Sequence, residues 1–243
     1  MRTPRIFRQA ELAPGMAHIV DGQAAQHLLK VLRCSTGDPV ILFNGDGTDY
    51  SGRIDATQRN SLTVRIESVI ETPNESPLPI HLGIPLARGQ RMDYAIQKAV
   101  ELGVTEITPL TTERSIVKLE RKRLDGKIEH WRQVTISACE QSGRARIPAL
   151  HPVEPLAAWA SRAGYGIVLD PHDAKPVTAL QRPVEGIHLV AGPEGGFTPD
   201  EISVLREQGF HAVTLGPRIL RTETAPLAAV SALQLLWGDF GDS

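Results

Sequence analysis

The spacing of hydrophobic and polar positions changes character about a third of the way along the chain. Before residue 71, apolar residues alternate with polar ones in short runs. Leu62, Val64 and Ile66 share one face of a strand predicted over 61–69, and 48–55 forms a second strand. Residues 38–43 make a short apolar strand. The Asn44-Gly45-Asp46-Gly47 cluster after it suits a turn with positive φ. Leu28, Leu29 and Leu32 give residues 24–32 the apolar side of one short helix. The polar stretch Glu71-Thr72-Pro73-Asn74-Glu75-Ser76-Pro77 carries two prolines, which keep it extended and unpacked. These patterns divide the chain into a β-rich module over 1–72, a linker over 73–78 and a second domain over 79–243.

In the second domain, apolar runs of strand length alternate with runs of helical period. Strands are predicted at 80–86, 104–110, 167–170, 187–191 and 211–215. Helices are predicted at 91–102, with Met92, Ile96 and Ala99 on one face and Gly103 as its stop, and at 124–141, with Ile128, Trp131 and Val134 at helical spacing. Thr198-Pro199-Asp200-Glu201 reads as a capping box that opens a helix ending at Gly209, and a final alanine- and leucine-rich helix covers 223–237. Strands alternating with helices in this way predict an α/β domain built on a parallel sheet.

Composition narrows the class. With 41% hydrophobic and 22% charged residues, the 243-residue chain has the make-up of a folded globular protein, not a disordered or disulfide-scaffold one. No run has the length of a membrane helix, and the first eight residues hold cations without the apolar stretch of a secretory signal. Cys34 and Cys139 lack metal-ligand spacing and read as reduced thiols, which points to the cytoplasm. The eight histidines show no HxxxH or HxxH pairing and do not cluster with the cysteines, so no metal is expected. The net charge of −2 argues against indiscriminate nucleic-acid binding. Residues 86–147, however, hold 12 Lys/Arg against 8 Asp/Glu (net +4), and this is either a local polyanion footprint or a solvated helix face.

Ligands of open parallel sheets lie beyond the carboxyl ends of the strands. Three predicted strand ends carry unusual sequence: Leu169-Asp170-Pro171-His172-Asp173, Gly192-Pro193-Glu194-Gly195-Gly196-Phe197, and the long stretch from Leu215 to Ala225. The second lacks the Lys-Ser/Thr ending of a P-loop and the spacing of a dinucleotide fingerprint. A plain tight turn explains its glycines as well, and Glu194 within it would repel a phosphate. In the third, Gly216-Pro217 breaks the strand, and Ile219-Leu220 offers apolar side chains suited to a flat ring such as adenine. Arg221 stands where the last helix begins, so a helix dipole with free N–H groups is expected there.

At this point the chain resembles the ribosomal RNA small subunit methyltransferase E family, the 16S rRNA uridine-N3 methyltransferases of the SPOUT class. The resemblance is carried by Gly192-Pro193-Glu194-Gly195-Gly196 and by Leu215-Gly216-Pro217-Arg218-Ile219-Leu220-Arg221-Thr222-Glu223-Thr224-Ala225. It extends to Arg88-Gly89-Gln90-Arg91-Met92, Lys98-Ala99-Val100-Glu101-Leu102-Gly103, Glu140-Gln141-Ser142-Gly143-Arg144, Arg5-Ile6-Phe7 and His27-Leu28-Leu29-Lys30-Val31-Leu32-Arg33. It implies a trefoil-knot α/β domain preceded by a small PUA-like β-barrel, with S-adenosyl-L-methionine bound bent in the knot. It also implies a homodimer, and a uridine of the decoding region in the small ribosomal subunit as target.

Carried onto this sequence, the resemblance makes Leu169, Gly192, Gly195, Gly196, Leu215, Gly216, Ile219, Leu220 and Ala225 the cofactor lining. Arg221 becomes the stabiliser of charge developing on a uracil carbonyl as N3 loses its proton. Glu194 becomes the proton acceptor or the partner that positions Arg221. For RNA, the expected contacts are Arg5, Arg8, Lys30, Arg33, Arg88, Arg91, Lys98, Arg114 and Lys118. Two other readings fit the same residues: an α/β enzyme that holds a nucleotide or sugar phosphate in the glycine turns, and a non-catalytic RNA-binding module.

Overall fold

A computed structural model describes residues 3–87, 89–115, 121–170 and 174–241, the helical residues 121–123 by backbone alone. Two compact units emerge: Met1–Glu75 with Cys139–Ile147, and Ser76–Ala138 with Pro148–Ser243.

The first unit is a five-stranded sheet in the order β1-β3-β4-β5-β2. Its strands are β1 (Arg5–Phe7), β2 (Ala17–Val20), β3 (Pro39–Phe43), β4 (Thr48–Thr57) and β5 (Leu62–Glu71). β1 and β3 run parallel and the other neighbours antiparallel. Register shifts between Ser51 and Gly52 and between Ile54 and Ala56 bend the long β4–β5 ribbon, as bulges do. Leu62, Val64 and Ile66 point inward together with Ile54, Leu42, Val40 and Leu28, which is the one-faced burial their alternation predicts.

The short helix differs from expectation. α1 (Gly22–Gln26) gives way to a π turn over His27–Val31, closed by Leu32 N–H donating to the His27 carbonyl at 3.0 Å. The wider turn keeps Leu28 in the core but leaves Leu32 36% exposed and Val31 66% exposed. Arg33, at φ +57°, ends it.

Residues 139–147, expected in the second domain, belong to this unit. Polar bonds hold them there. The Arg144 guanidinium lies 2.6 Å from Glu75 Oε2, Asn74 Nδ2 donates to the Gly143 carbonyl, and Phe7 N–H donates to Glu140 Oε1. Arg5 is drawn into the same group: its Nη1 meets Asp49 Oδ2 at 2.5 Å and its Nη2 donates to the Arg144 carbonyl at 3.0 Å. With 6% of its side chain exposed, Arg5 is a buried ion-pair member and is withdrawn from the expected RNA contacts. A cation sealed against a carboxylate has no charge left to offer a phosphate.

The second unit is built on an eight-stranded sheet. Seven strands follow the order β11-β13-β10-β12-β6-β7-β8, and β9 pairs with β7 off that path. The strands are β6 (Ile80–Pro85), β7 (Glu106–Thr111), β8 (Ala149–Leu150), β9 (Glu154–Pro155), β10 (Gly166–Leu169), β11 (Lys175–Pro176), β12 (Ile187–Ala191) and β13 (Phe210–Thr214). All of its ladders are parallel. The helices are α2 (Gln90–Glu101), α3 (Arg121–Ser142, whose residues from Cys139 on belong to the first unit), α4 (Leu156–Ala160), α5 (Pro199–Glu207) and α6 (Thr224–Trp237). Met92, Ile96 and Ala99 are buried on α2, and Gly103 turns the chain out of it at φ +87°. The capping box at α5 is complete: Glu201 N–H donates to Thr198 Oγ1 and Thr198 N–H to Glu201 Oε2. β12 inserts between β10 and β6, so the middle strands are covered on both sides and are almost wholly apolar. Among the described residues, no helix is long and apolar enough to cross a membrane.

Candidate functional site

Three neighbouring strands bring the unusual segments to one rim. β10 pairs with β12 on one side and β13 on the other, and Leu169 aligns with both Ala191 and Val213. Asp170 N–H donates to the Val213 carbonyl at 3.1 Å and extends the alignment past the strand end. The segments after residues 169, 191 and 214 therefore leave the sheet at the same level. Because β12 enters between β10 and β6, the order of the strands reverses here, and such reversals open a crevice at the carboxyl edge.

The Gly192–Phe197 turn is closed by Gly196 N–H donating to the Pro193 carbonyl at 2.8 Å, with Gly196 at φ +68°. A Cβ on Gly192 would stand 3.3 Å from both the Gly196 Cα and the Phe197 nitrogen, so any other residue would press on the backbone of the turn. Glu194 and Gly195 at its tip are exposed. The turn is braced from two sides. Arg114, just after β7, donates from Nη1 to the Gly195 carbonyl at 2.9 Å and to the Phe197 carbonyl at 3.4 Å. Arg91, on the first turn of α2, forms an ion pair with Glu194. Glu194 thus has Arg91 as its partner, and the expected role of positioning Arg221 passes from it.

The loop after β13 is open. Gly216 sits at φ +95°, and Thr214 Oγ1 donates to its carbonyl at 3.2 Å. Ile219 is 91% exposed, a large apolar side chain facing water, and Leu220 is half-buried. The Arg221 side chain is 82% exposed and 4.0 Å from Glu223. The start of α6 differs from expectation. Thr224 and Ala225 N–H both donate to the Arg221 carbonyl at 2.9 Å, and Pro226 has no N–H, so the first turn presents no free donors. The helix end contributes its dipole and holds the Arg221 backbone in place.

The cations expected to meet RNA fall in several places. Lys30 and Arg33 are exposed, and Arg8 is half-buried beside Asp21, with Nη2 donating to the Ile19 carbonyl. Lys98 is spoken for by Glu101 at 2.7 Å. Arg114 is occupied by the glycine turn. Arg88, Lys118 and His172 lie outside the described residues. The bracing by Arg91 and Arg114 carries no sequence signal, since it depends on β6 lying next to β12 in the sheet and β7 next to β6.

The second unit also holds a polar cluster at the opposite, amino edge, where His81, Glu106 and His151 converge. Spacing along the chain could not reveal it: 25 residues separate the first two and 45 the last two.

Comparison with known proteins agrees with this architecture. The model of an RNA methyltransferase domain matches residues 74–234, and that of an RNA methyltransferase PUA domain matches residues 20–67. The ribosomal RNA small subunit methyltransferase E of Buchnera aphidicola (from Acyrthosiphon pisum) is 32% identical, over 98% of this chain and 96% of its own length. That of Bacillus subtilis is 31% identical over 96% of each. Among solved structures, a methyltransferase of Legionella pneumophila in complex with the bound cofactor SAM superposes with a TM-score of 0.95 at 39% identity, over 99% of this chain and 100% of the other. The ribosomal RNA small subunit methyltransferase E of Neisseria gonorrhoeae bound to S-adenosyl methionine gives 0.92 at 38% identity, over 98% and 100%. Similarity this extensive, across both units, means that the chain belongs to the ribosomal RNA small subunit methyltransferase E family.

Proposed function

We propose that this chain methylates N3 of a uridine near the 3′ end of 16S rRNA, in the decoding region of the small ribosomal subunit, with S-adenosyl-L-methionine as methyl donor. The observation that supports it most is the meeting of the segments after β10, β12 and β13 at one carboxyl rim, in a member of a family whose relatives from Legionella and Neisseria were crystallised with this cofactor. The residues fit the group. The tight turn at Gly192 lets backbone approach closely, Gly216 has open space where a Cβ would stand, and Ile219 and Leu220 are apolar surface suited to a flat ring. Leu169, Gly192, Gly195, Gly196, Leu215, Gly216, Ile219, Leu220 and Ala225 line the site. Part of the loop threads the knot typical of SPOUT domains.

The cofactor supplies an electrophilic methyl group on a sulfonium. The chain must bring uracil N3 in line with it and help the N3 proton leave, and alignment alone can lower the barrier by several kcal/mol. Arg221 meets the need for charge stabilisation. Its guanidinium is exposed and held only loosely by Glu223 at 4.0 Å, so it is free to donate to a uracil carbonyl oxygen as the imide becomes anionic. Glu194 is the acceptor for the proton once Arg91 turns to the RNA. Arg8, Lys30, Arg33 and Arg91 are the cations for RNA phosphates, and binding weakens steeply with salt. The protein works in the cytoplasm as a homodimer, in which exposed Leu235, Leu236 and Phe240 find cover.

The test is transfer of a labelled methyl group from the cofactor to small subunits isolated from a strain that lacks this gene, followed by mass analysis of 16S rRNA fragments. One added methyl, located on N3 of a single uridine near the 3′ end, is expected. Methylation of another base or position overturns the assignment, and no methylation of any subunit or rRNA overturns the activity.

A further inference from the structure

The amino ends of β6, β7, β12 and the residue after β8 bring together side chains that the transfer reaction does not use. His81 is the second residue of β6, Glu106 opens β7, His188 is the second residue of β12 and His151 follows β8. One donor atom each from His81, Glu106 and His151 lies within 4.8 Å of the others. His151 Nε2 is 2.7 Å from Glu106 Oε2, and His81 Nδ1 is 3.8 Å from the same oxygen. Ligand atoms at 2.0–2.1 Å around a tetrahedral ion stand about 3.3 Å apart, and the two measured separations bracket that spacing. We propose that His81, Glu106 and His151 form a zinc site, with water or His188, whose ring centroid is 4.7 Å from that of His81, in the remaining position.

The surroundings have the form of a metal site. His81 Nε2 lies 2.7 Å from Thr108 Oγ1, a buried hydroxyl. With zinc on Nδ1, the proton stays on Nε2 and Thr108 accepts it, which fixes the ring as outer-shell partners of ligating histidines do. Trp159 Nε1 now donates to that same nitrogen at 3.1 Å and would lose its acceptor, so metal uptake must disturb Trp159. The donor set suits the ion: two imidazole nitrogens and one carboxylate oxygen are ligand types that zinc takes. Arg162, the nearby cation, is paired with Glu154 at 2.5 Å. Side-chain exposures of 45% for Glu106 and 38% for His151 leave an entry path, while His81 at 14% anchors the base. An imidazole and carboxylate set of this kind suits Zn²⁺ better than Mg²⁺ or Ca²⁺, which require all-oxygen shells.

The test uses the full chain, stripped with a chelator and titrated at neutral pH with Zn²⁺ by calorimetry and with Co²⁺ by visible absorption. One Zn²⁺ per chain is expected, together with the strong visible bands of low-coordinate Co²⁺ without a thiolate band, and a change in tryptophan emission. Glu106→Gln and His151→Ala should each weaken binding by at least about tenfold, and Thr108→Val by about 10–100-fold. Circular dichroism checks that each variant is folded, and Thr108→Val removes only the outer-shell acceptor should a ligand variant fail. Zn²⁺ that does not bind at micromolar concentration overturns the proposal. So does binding that survives both ligand variants unchanged, or a Co²⁺–thiolate band that places the metal on a cysteine.

Discussion

The two rims of the eight-stranded sheet solve opposite problems with the same strands. At the carboxyl rim the chain reaches out in glycine turns, leaves Ile219 and Arg221 in solvent, and holds the turn at Gly192–Phe197 through backbone carbonyls. At the amino rim side chains do the holding: His81 is tied to Thr108 and Trp159, His151 to Glu106, and the rings of His81, His151, His188 and Trp159 pack at centroid distances of 4.7 to 5.5 Å. Order at the amino rim comes from packing, and removing a side chain there should be felt as stability. At the carboxyl rim few side chains are packed, so their removal should be felt in binding and rate. The contrast teaches that exposed apolar and cationic groups mark where a large partner docks, whereas side chains packed on one another belong to the frame and leave room for no more than a single ion.

The largest effect should break the amino rim. Trp159 is fully buried, edge-on to His81 and 5.8 Å from Phe210. Trp159→Ala is expected to lower unfolding free energy by about 3–5 kcal/mol, read from urea denaturation. Cofactor affinity of the folded protein should change by less than about twofold, since distant sites act independently. A large loss of cofactor affinity with intact folding would dissolve the distinction between the rims. Next comes Arg221→Ala at the other edge. Turnover should fall by about 10²–10³, the usual cost of one donor to a developing oxyanion, with the melting temperature unchanged because the side chain is 82% exposed. A fall in stability with turnover intact would make Arg221 a structural residue.

The difference between the rims also explains what could be read from the chain beforehand. Thr198-Pro199-Asp200-Glu201 predicts its helix because every partner in the capping box lies within four residues, and the bonds form as read. The glycine turns are legible for the same reason: a break, a glycine and a following helix are all local. β8 and β9, two residues each, were not legible, because they exist only through pairing with β7. Arg5 reads as a surface cation until the fold brings Asp49 against it from 44 residues away. The histidine cluster is the extreme case. Its members come from the starts of three strands and from the residue after a fourth, and only the parallel register, which aligns His81 with both Glu106 and His188, makes them neighbours. Local chemistry is written in order along the chain, whereas convergent chemistry waits for the sheet.

A smaller effect sharpens the reading of the glycine turn. Gly192→Ala places a methyl 3.3 Å from backbone at Gly196 and Phe197, and backbone yields less readily than a side chain. Cofactor binding should weaken by about tenfold, equal to 1.4 kcal/mol, in a calorimetric titration. Because the turn lies beyond the strand end, the global unfolding transition should shift by under about 1 kcal/mol. If stability falls by several kcal/mol instead, the carboxyl rim is as much frame as its opposite.

The smallest expected effect concerns the Arg91–Glu194 pair, and its sign carries the information. The two side chains are 47% and 34% exposed, and a pair so open to water contributes about 0–1 kcal/mol. A double-mutant cycle with Arg91→Ala and Glu194→Gln should therefore show little coupling in the unfolding free energy of the free protein. On RNA the two variants should part. If Arg91 leaves Glu194 for a phosphate, Arg91→Ala weakens binding and reduces the salt slope by about one. Glu194→Gln removes the competing carboxylate and strengthens binding slightly, while slowing methyl transfer if the carboxylate takes the proton. Filter binding across a salt series and single-turnover methylation measure the two effects separately. Parallel weakening of RNA binding by both variants would mean that the pair acts as a fixed brace, and the carboxyl rim would then be preformed where it faces RNA.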